Sequence, residues 1–504
     1  MSHNSDSSGR HRPPLDAIGR AVFTGAVLIV AWGVLAFGSP YPWAYLPLAL
    51  GAAVVGIAGW FGTRPSGLLT DQRRLLLALA LVILAVALQL ISWPARVVDT
   101  VSPANAIILR QIDLVFASMS AAVDVGAQSS MPGRPLSIDP GATARGLLLL
   151  ASFSLLLAGL IRHCNRFGAR RFAGWFMVFG VVVALIGIIQ KAVLGDQAWD
   201  GMKIYGFWEP RYKLTTPFGP FVNKNHFAGW MLMALPTALG YLLAQAEIGM
   251  RNVRHGWRHR FLWLSSPEGG RLQIAAFAVV VMAVSLMMTL SRSGIACFGM
   301  AMAVAALAVV RRQRSTLARA AVVLAIGVLV AAPVLWANAN VGERLATRNT
   351  SFALRKAIWS DAVRVMEDFP VVGTGFNTFA AAMRVYQTAS DDLMVLEAHN
   401  DYLQLAAEGG LLVGLPILLT LVLFADGIRR RFWSGEDDPA TSWIRFGAAT
   451  AVAAIALQSV VEFSLQMPGN AVAFVVVAAI ALHRPSSGQD SSTAVRPVVR
   501  VPFV

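Results

Sequence analysis

Apolar runs long enough to cross a lipid bilayer recur along this chain, and no other feature restricts its fold so tightly. "LLLALALVILAVALQL" (Leu75–Leu90) is one of them. A helix of about 20 apolar residues spans a ~30 Å hydrocarbon core. In lipid the backbone satisfies its hydrogen bonds only within helices or closed barrels, and the alternating apolar and polar residues of barrel strands are missing from the sequence. The expected fold is an all-α polytopic membrane protein with about twelve transmembrane helices. Composition agrees: 56% of the 504 residues are hydrophobic and only 14% charged, too few charges to cover a soluble surface of that size.

The expected spans lie near Ile18–Gly38, Trp43–Gly62, Leu75–Trp93, Gly146–Ile161, Phe172–Leu194, Phe227–Ala246, Leu272–Leu290, Ile295–Val310, Ala320–Trp336, Leu403–Ala425, Ile444–Glu462 and Asn470–Leu482. Lys and Arg in short loops set their direction. "RHCNRFGARR" (Arg162–Arg171), "RNVRHGWRHR" (Arg251–Arg260), "RRQR" (Arg311–Arg314) and "RRR" (Arg429–Arg431) fall on one side if the spans alternate, together with both termini. That side reads as cytoplasmic. The resulting organisation is a cytoplasmic tail over 1–17, spans one to nine over 18–336 with outward loops near 94–145 and 195–226, a large partly helical outward loop over 337–402, spans ten to twelve over 403–484, and a cytoplasmic tail over 485–504. The first apolar run has no clear small-residue cleavage site and reads as a retained anchor. No internal repeat is evident, which weakens an inverted-repeat transporter reading.

The formal net charge is +15. In a soluble chain this would point to nucleic acid, but no aromatic–basic platform accompanies it, so no nucleic-acid partner is expected. Cys164 and Cys297 lie far apart in dissimilar settings and define neither a disulfide nor a zinc framework. The outward segments carry more cations than the positive-inside rule predicts: Lys203, Arg211, Lys213, Lys224, Arg292, Arg344, Arg348, Arg355, Lys356, Arg364 and Arg384. Most are compatible with long loops and with side chains that snorkel to headgroups. Arg292 is less easily explained so. It sits in "LSRSG", a three- or four-residue hinge between two apolar runs, where an arginine meets an anion or lines a wet cavity.

Two further stretches carry candidate chemistry. In "RYKLTTPFGPFVNKNHFAGW" (Arg211–Trp230), Pro217, Gly219 and Pro220 forbid a regular helix, and Asn223, Lys224, Asn225 and His226 then stand at the start of the next span. A helix N-terminus binds anions, and an asparagine caps it; Asn225 is either that cap or a ligand. In "EAHNDYLQLAAEGG" (Glu397–Gly410), His399 reads as the first turn of a helix whose positive end disfavours imidazolium and keeps the ring available as a general base. Asn400 or Asp401 caps that helix. A zinc reading of His399 lacks an i+4 histidine and cysteine ligands.

Taken in order, "FVNKNHFAGWMLMALP" (Phe221–Pro236), "LSRSG" (Leu290–Gly294), "PVVGTGFNTF…YQ…EAHNDYLQLAAEGGLLVG" (Pro370–Gly414) and "VEFSLQMPGNA" (Val461–Ala471) resemble the O-antigen ligase/polymerase superfamily of bacterial envelope glycan transferases. Ser293 stands where that family more often has glycine. The resemblance implies a multi-pass protein of the bacterial inner membrane and a metal-independent, inverting glycosyltransferase without cofactor. It implies a glycan donor on undecaprenyl pyrophosphate and a glycan, lipid or protein hydroxyl as acceptor, with the 337–402 loop periplasmic and catalytic. On that reading His399, Arg292 and Arg211 are catalytic, and Lys224, Asn223, Asn225, Asn400 and Asp401 bind substrate. The alternative is a transporter or flippase for an anionic lipid-linked substrate. A flippase needs polar groups reachable from both faces, whereas the unusual charges here gather on one.

Overall fold

The computed structural model describes residues 15–62, 68–126, 131–194, 203–209, 216–251, 253, 256–312, 346–388, 394–433 and 438–484. Its helices in chain order are α1 (Ala17–Leu35), α2 (Pro42–Gly62), α3 (Thr70–Leu90), α4 (Ala95–Val101), α5 (Pro103–Ile112), α6 (Leu114–Asp124), α7 (Pro140–Phe167), α8 (Arg170–Leu194), α9 (Lys224–Met250), α10 (Trp257–Leu264), α11 (Pro267–Met288), α12 (Arg292–Arg312), α13 (Ala346–Asp368), α14 (Phe379–Tyr386), α15 (Asp401–Trp433), α16 (Pro439–Gln458) and α17 (Pro468–Leu482). Among the described residues ten helices are long and apolar enough to cross a membrane, and α17 is a shorter apolar helix. These match eleven of the expected spans. The expected span Ala320–Trp336 lies outside the described residues. The chain is an all-α polytopic membrane protein.

Helix α9 is the centre of the bundle: 78% of its most apolar stretch is buried, against 11% for α15, which turns most of its apolar surface outward. Small residues let the backbones approach, as packing in lipid favours. A Cβ on Gly240 of α9 would meet the Trp443 carbonyl oxygen of α16 at 2.6 Å, and one on Gly56 of α2 would meet the Leu155 backbone of α7 at 2.4 Å.

The ends of the bundle differ in chemistry. At one end Arg431 donates to Asp71 (2.7 Å), Asn165 to Gln72 (3.0 Å), and the Arg484 backbone N–H to Asn165 (2.8 Å). Arg166 pairs there with Asp16 at 3.1 Å. Of the basic loops predicted to share a side, those at Arg162–Arg171 and Arg429–Arg431 are therefore gathered at one end. At the other end the segments 95–138 and 346–400, far apart in sequence, form an outer layer with its own apolar core of Ile108, Leu109 and Ile138 packed with Ile358, Val365, Phe369 and Phe379.

Helix α15 is broken inside this layer. Gly410 has φ 53° and ψ −154°, which ends the helical ladder for one turn. The segment after α13 fills the break. The freed carbonyls of Ala407 and Glu408 accept from the N–H groups of Thr374 (3.1 Å) and Gly375 (3.0 Å), and the N–H groups of Leu411 and Leu412 donate to Pro370 (3.0 Å) and Val371 (2.8 Å). These groups released by the kink are thereby satisfied away from water. The close approach explains the glycines: Gly373 has φ +67°, and a Cβ there would lie 2.2 Å from the Glu408 carbonyl oxygen. Gln89 of α3 staples the same junction through Val372 and Phe376.

Candidate active site

Four loops meet at the end of the bundle that carries the outer layer. The first precedes α9. Asn223 caps that helix, its Oδ1 accepting from the Asn225 N–H at 2.8 Å. Of the two asparagines only Asn223 has extended backbone dihedrals (φ −137°, ψ 128°), the conformation of a cap. The Asn225 side chain is thus free to reach elsewhere. The second loop is the hinge between α11 and α12, three residues long, with Leu290 held at φ +54° and Arg292 opening α12. Ser291 of this hinge donates to Asn225 Oδ1 at 2.8 Å.

The third loop ends at α15. Asn400 caps that helix by accepting from the N–H groups of Tyr402 and Leu403 (3.1 Å each). His399 therefore precedes the helix instead of forming its first turn. It occupies the left-handed region at φ +52°, a conformation that costs a non-glycine residue about 1–3 kcal/mol and persists only where the surroundings impose it. It is not the first-turn residue on which the expected helix dipole would act. The fourth loop joins α16 to α17. Helix α16 ends at Gln458, four residues before the expected boundary, and leaves Glu462 in the turn.

Glu462 is the point where these loops meet. Its side chain is only 1% exposed. Asn225 Nδ2 donates to Oε1 at 2.7 Å, and Arg355 of α13 donates to the same oxygen. Arg355 also donates to the Val461 carbonyl at 2.9 Å. Oε2 faces His399 Nδ1 at 3.4 Å. Phe463, next in sequence, lies edge-on between two imidazoles, with His226 and His399 each at 4.7 Å between ring centroids. Burial alone pushes the Glu462 carboxyl upward, but the His399 contact and the neighbouring Arg355 and histidines outweigh it and hold the group below the usual carboxylate range. A charged acceptor is thereby kept buried at the end of the bundle.

Lys224, Arg292 and Asp401 begin helices that meet at this end of the bundle. Lys224 is the first residue of α9, with its N–H on the Thr216 carbonyl at 2.8 Å. Arg292 is exposed at the start of α12, beside Ser291. The Asp401 N–H donates to the Ser459 carbonyl (2.9 Å) and its Oδ1 accepts from Gln466 (3.3 Å), which joins α15 to the α16–α17 turn. Arg211 lies outside the described residues. Glu408, in the first turns of α15, serves the architecture. Its carboxylate caps α14 by accepting from the N–H groups of Asn377 (2.7 Å) and Phe379 (3.1 Å). Among the described residues no group of three or more His, Cys, Asp or Glu side chains is placed to hold a metal ion.

Glu397 backs the His399 loop and gives a pH test of the fold. It accepts from Gln404 at 2.6 Å. Burial raises its carboxyl to about 8; the Gln404 hydrogen bond opposes this, and the Glu408 and Asp401 carboxyls reinforce it. In the unfolded chain the group ionises near its ordinary 4.5, so folding binds a proton between the two values and stability falls as pH rises through that window. Glu397→Gln removes this loss. Thermal unfolding in detergent should show the variant near the parent at pH 5 and more stable than the parent at pH 8–9; equal melting temperatures at both pH values would contradict the assignment.

Residues 277–418 match the family model described as O-antigen ligase. That part of the chain is similar to the O-antigen ligase family. The match supports the resemblance to the O-antigen ligase/polymerase superfamily over that part of the chain. No curated protein matches the chain. The O-antigen ligase match holds the Ser291–Arg292 hinge, Arg355 and His399, and stops short of Asn225 on one side and Glu462 on the other. The fold closes that gap by bringing both onto the matched residues.

Sequence reasoning singled out His399, Arg292, Asn223, Asn225 and Asn400. It missed Glu462 as a site residue and left Arg355 among the general outward cations. A carboxylate at the end of an apolar run, beside the "VEFSLQMPGNA" motif, was the available signal for the first. For Arg355 the sequence offers none.

Proposed function

We propose that this chain transfers a glycan from undecaprenyl pyrophosphate to an acceptor hydroxyl on the periplasmic face of the bacterial inner membrane, as a ligase or as a polysaccharide polymerase. One observation carries the reading: His399, Arg355 and Asn225 converge on one buried carboxylate, with Ser291 of the hinge bonded to Asn225, at the end of the bundle that carries the outer layer. Basic short loops face the cytoplasm, so the site faces outward and both termini face inward. In this mechanism the acceptor O–H gives its proton to His399 while its oxygen attacks the anomeric carbon. The bond from that carbon to the pyrophosphate oxygen breaks with inversion, and the lipid pyrophosphate leaves. Arg292 with the first N–H groups of α12, Lys224 at the start of α9, and Arg211 hold the charge that develops on the leaving group, a role that cations fill here without metal. The outer layer of residues 346–400 covers the sugars and excludes the water that would otherwise hydrolyse the donor.

A strain lacking the chain tests this reading, with surface glycan resolved by length. Loss of a ligase leaves acceptors bare, and loss of a polymerase leaves single repeat units. A reporter fused after Met394 should read outside and one after Trp433 inside. Unchanged surface glycan, or equal reporter signals, would contradict the proposal.

A further inference from the structure

We propose that Glu462 is the positioning residue for His399: it commits the Nδ1 side of the imidazole and leaves the other ring nitrogen directed at the acceptor hydroxyl. This inference deepens the transferase reading above and rests on it. The geometry has three parts. The two oxygens of the carboxylate are divided, with Asn225 and Arg355 on Oε1 and His399 on Oε2. Phe463, anchored in the same turn, meets the His399 ring edge-on and restricts its rotation. The carboxylate is buried, whereas His399 is 30% exposed, so one side of the imidazole is held and the rest is open to a ligand.

The charges suit this role. Arg355 from α13, His399 from the loop before α15, His226 from α9, Asp401 from α15 and Cys297 from α12 are the titratable or charged groups around Glu462. Arg355 alone would neutralise the carboxylate and Asn225 would satisfy a lone pair, so stability does not require the histidine contact. What the contact supplies is a fixed tautomer. A carboxylate beside Nδ1 favours the proton there, which leaves the Nε2 lone pair for the acceptor. When Nε2 takes the acceptor proton, the imidazolium that forms lies next to a negative charge, while Glu462 itself stays ionised throughout. The left-handed backbone at His399 fits the same account: its position is imposed by the surroundings, against local preference.

The test is a double-mutant cycle on the full-length protein in lipid nanodiscs, using a lipid-linked oligosaccharide donor and following kcat, the donor KM and the pH–rate profile. Glu462→Gln keeps the volume and an acceptor for Asn225 and Arg355. It should lower kcat by roughly 10²–10⁴-fold, the range of general-base contributions, whose upper end is the loss seen when a histidine's carboxylate partner is neutralised. The donor KM should stay within about threefold, because donor contacts are untouched. The acid limb of the profile should move to lower pH, since a neutral amide no longer stabilises the protonated base. In a His399→Ala background the same substitution should change nothing further. A structural role predicts the reverse: an equal fold-loss in both backgrounds and an unmoved acid limb, and that result overturns the proposal. If Glu462→Gln does not accumulate, Glu462→Asp, whose shorter arm cannot reach both Asn225 and His399, runs the same cycle with the same expected non-additivity. A parent protein that transfers no glycan would refute the transferase reading and this inference with it. An active parent with additive variants refutes the inference alone.

Discussion

His399→Ala transfers glycan roughly 10²–10⁴-fold more slowly than the parent while still binding the lipid-linked donor. The size follows from losing a general base, and the survival of donor binding follows from the leaving group being held by cations on other elements. The fold should persist, because Glu462 keeps Arg355 and Asn225 as partners when the imidazole is gone. One complication is conformational. His399 has φ +52°, and alanine tolerates that region less well than glycine does. His399→Gly removes the imidazole without the backbone penalty and should be as inactive as His399→Ala. Single-turnover transfer across pH checks both, and the acid-side fall of the parental rate should vanish with the ring. Rates within a few-fold of the parent would reduce His399 to a residue that shapes the loop.

Arg292→Lys is the second large effect. Lysine keeps the charge but not the planar fork that matches two phosphate oxygens at once. Arg292 opens α12 after a three-residue hinge whose Leu290 is held at φ +54°, so the short turn fixes where the guanidinium starts. Loss of one preorganised donor to a developing anion costs about 10²–10³-fold in rate. The expected result is that loss at normal protein level and normal melting temperature. Parental transfer by the variant would leave Arg292 as a cation that snorkels to headgroups and remove it from the mechanism.

Much of the fold was legible because bilayer thickness imposes a minimum apolar length on a spanning helix. The hinge arginine and His399 were legible for a related reason: polar groups at the edge of hydrocarbon are costly and stand out against apolar neighbours. The register of caps was less so. Asn223 and Asn225 both suit a helix start, and only the extended backbone at Asn223 decides which one caps and which one reaches into the site. Glu462 was hidden by distance along the chain. It lies 63 residues from His399, 107 from Arg355 and 237 from Asn225, and nothing local marks a carboxylate as the meeting point of such remote partners. The outer layer was hidden in the same way, since its core joins segments 95–138 and 346–400 through packing that no periodicity announces. The kink of α15 could be suspected from Gly409 and Gly410, but the segment that repairs it, Pro370–Gly375, could be found only in the fold.

The central claim is that the residues gathered around Glu462 move a glycan from a lipid pyrophosphate to a hydroxyl. Single-turnover reaction of the full-length protein in nanodiscs with a defined undecaprenyl-pyrophosphate-linked oligosaccharide and a hydroxyl acceptor tests it most directly, with glycosidic product and freed lipid pyrophosphate quantified together in the presence of a metal chelator. The account predicts one lipid pyrophosphate released for each new bond, with inverted configuration at the anomeric carbon. Donor that stays intact, or that is consumed only by water with no bond to the acceptor, would contradict it.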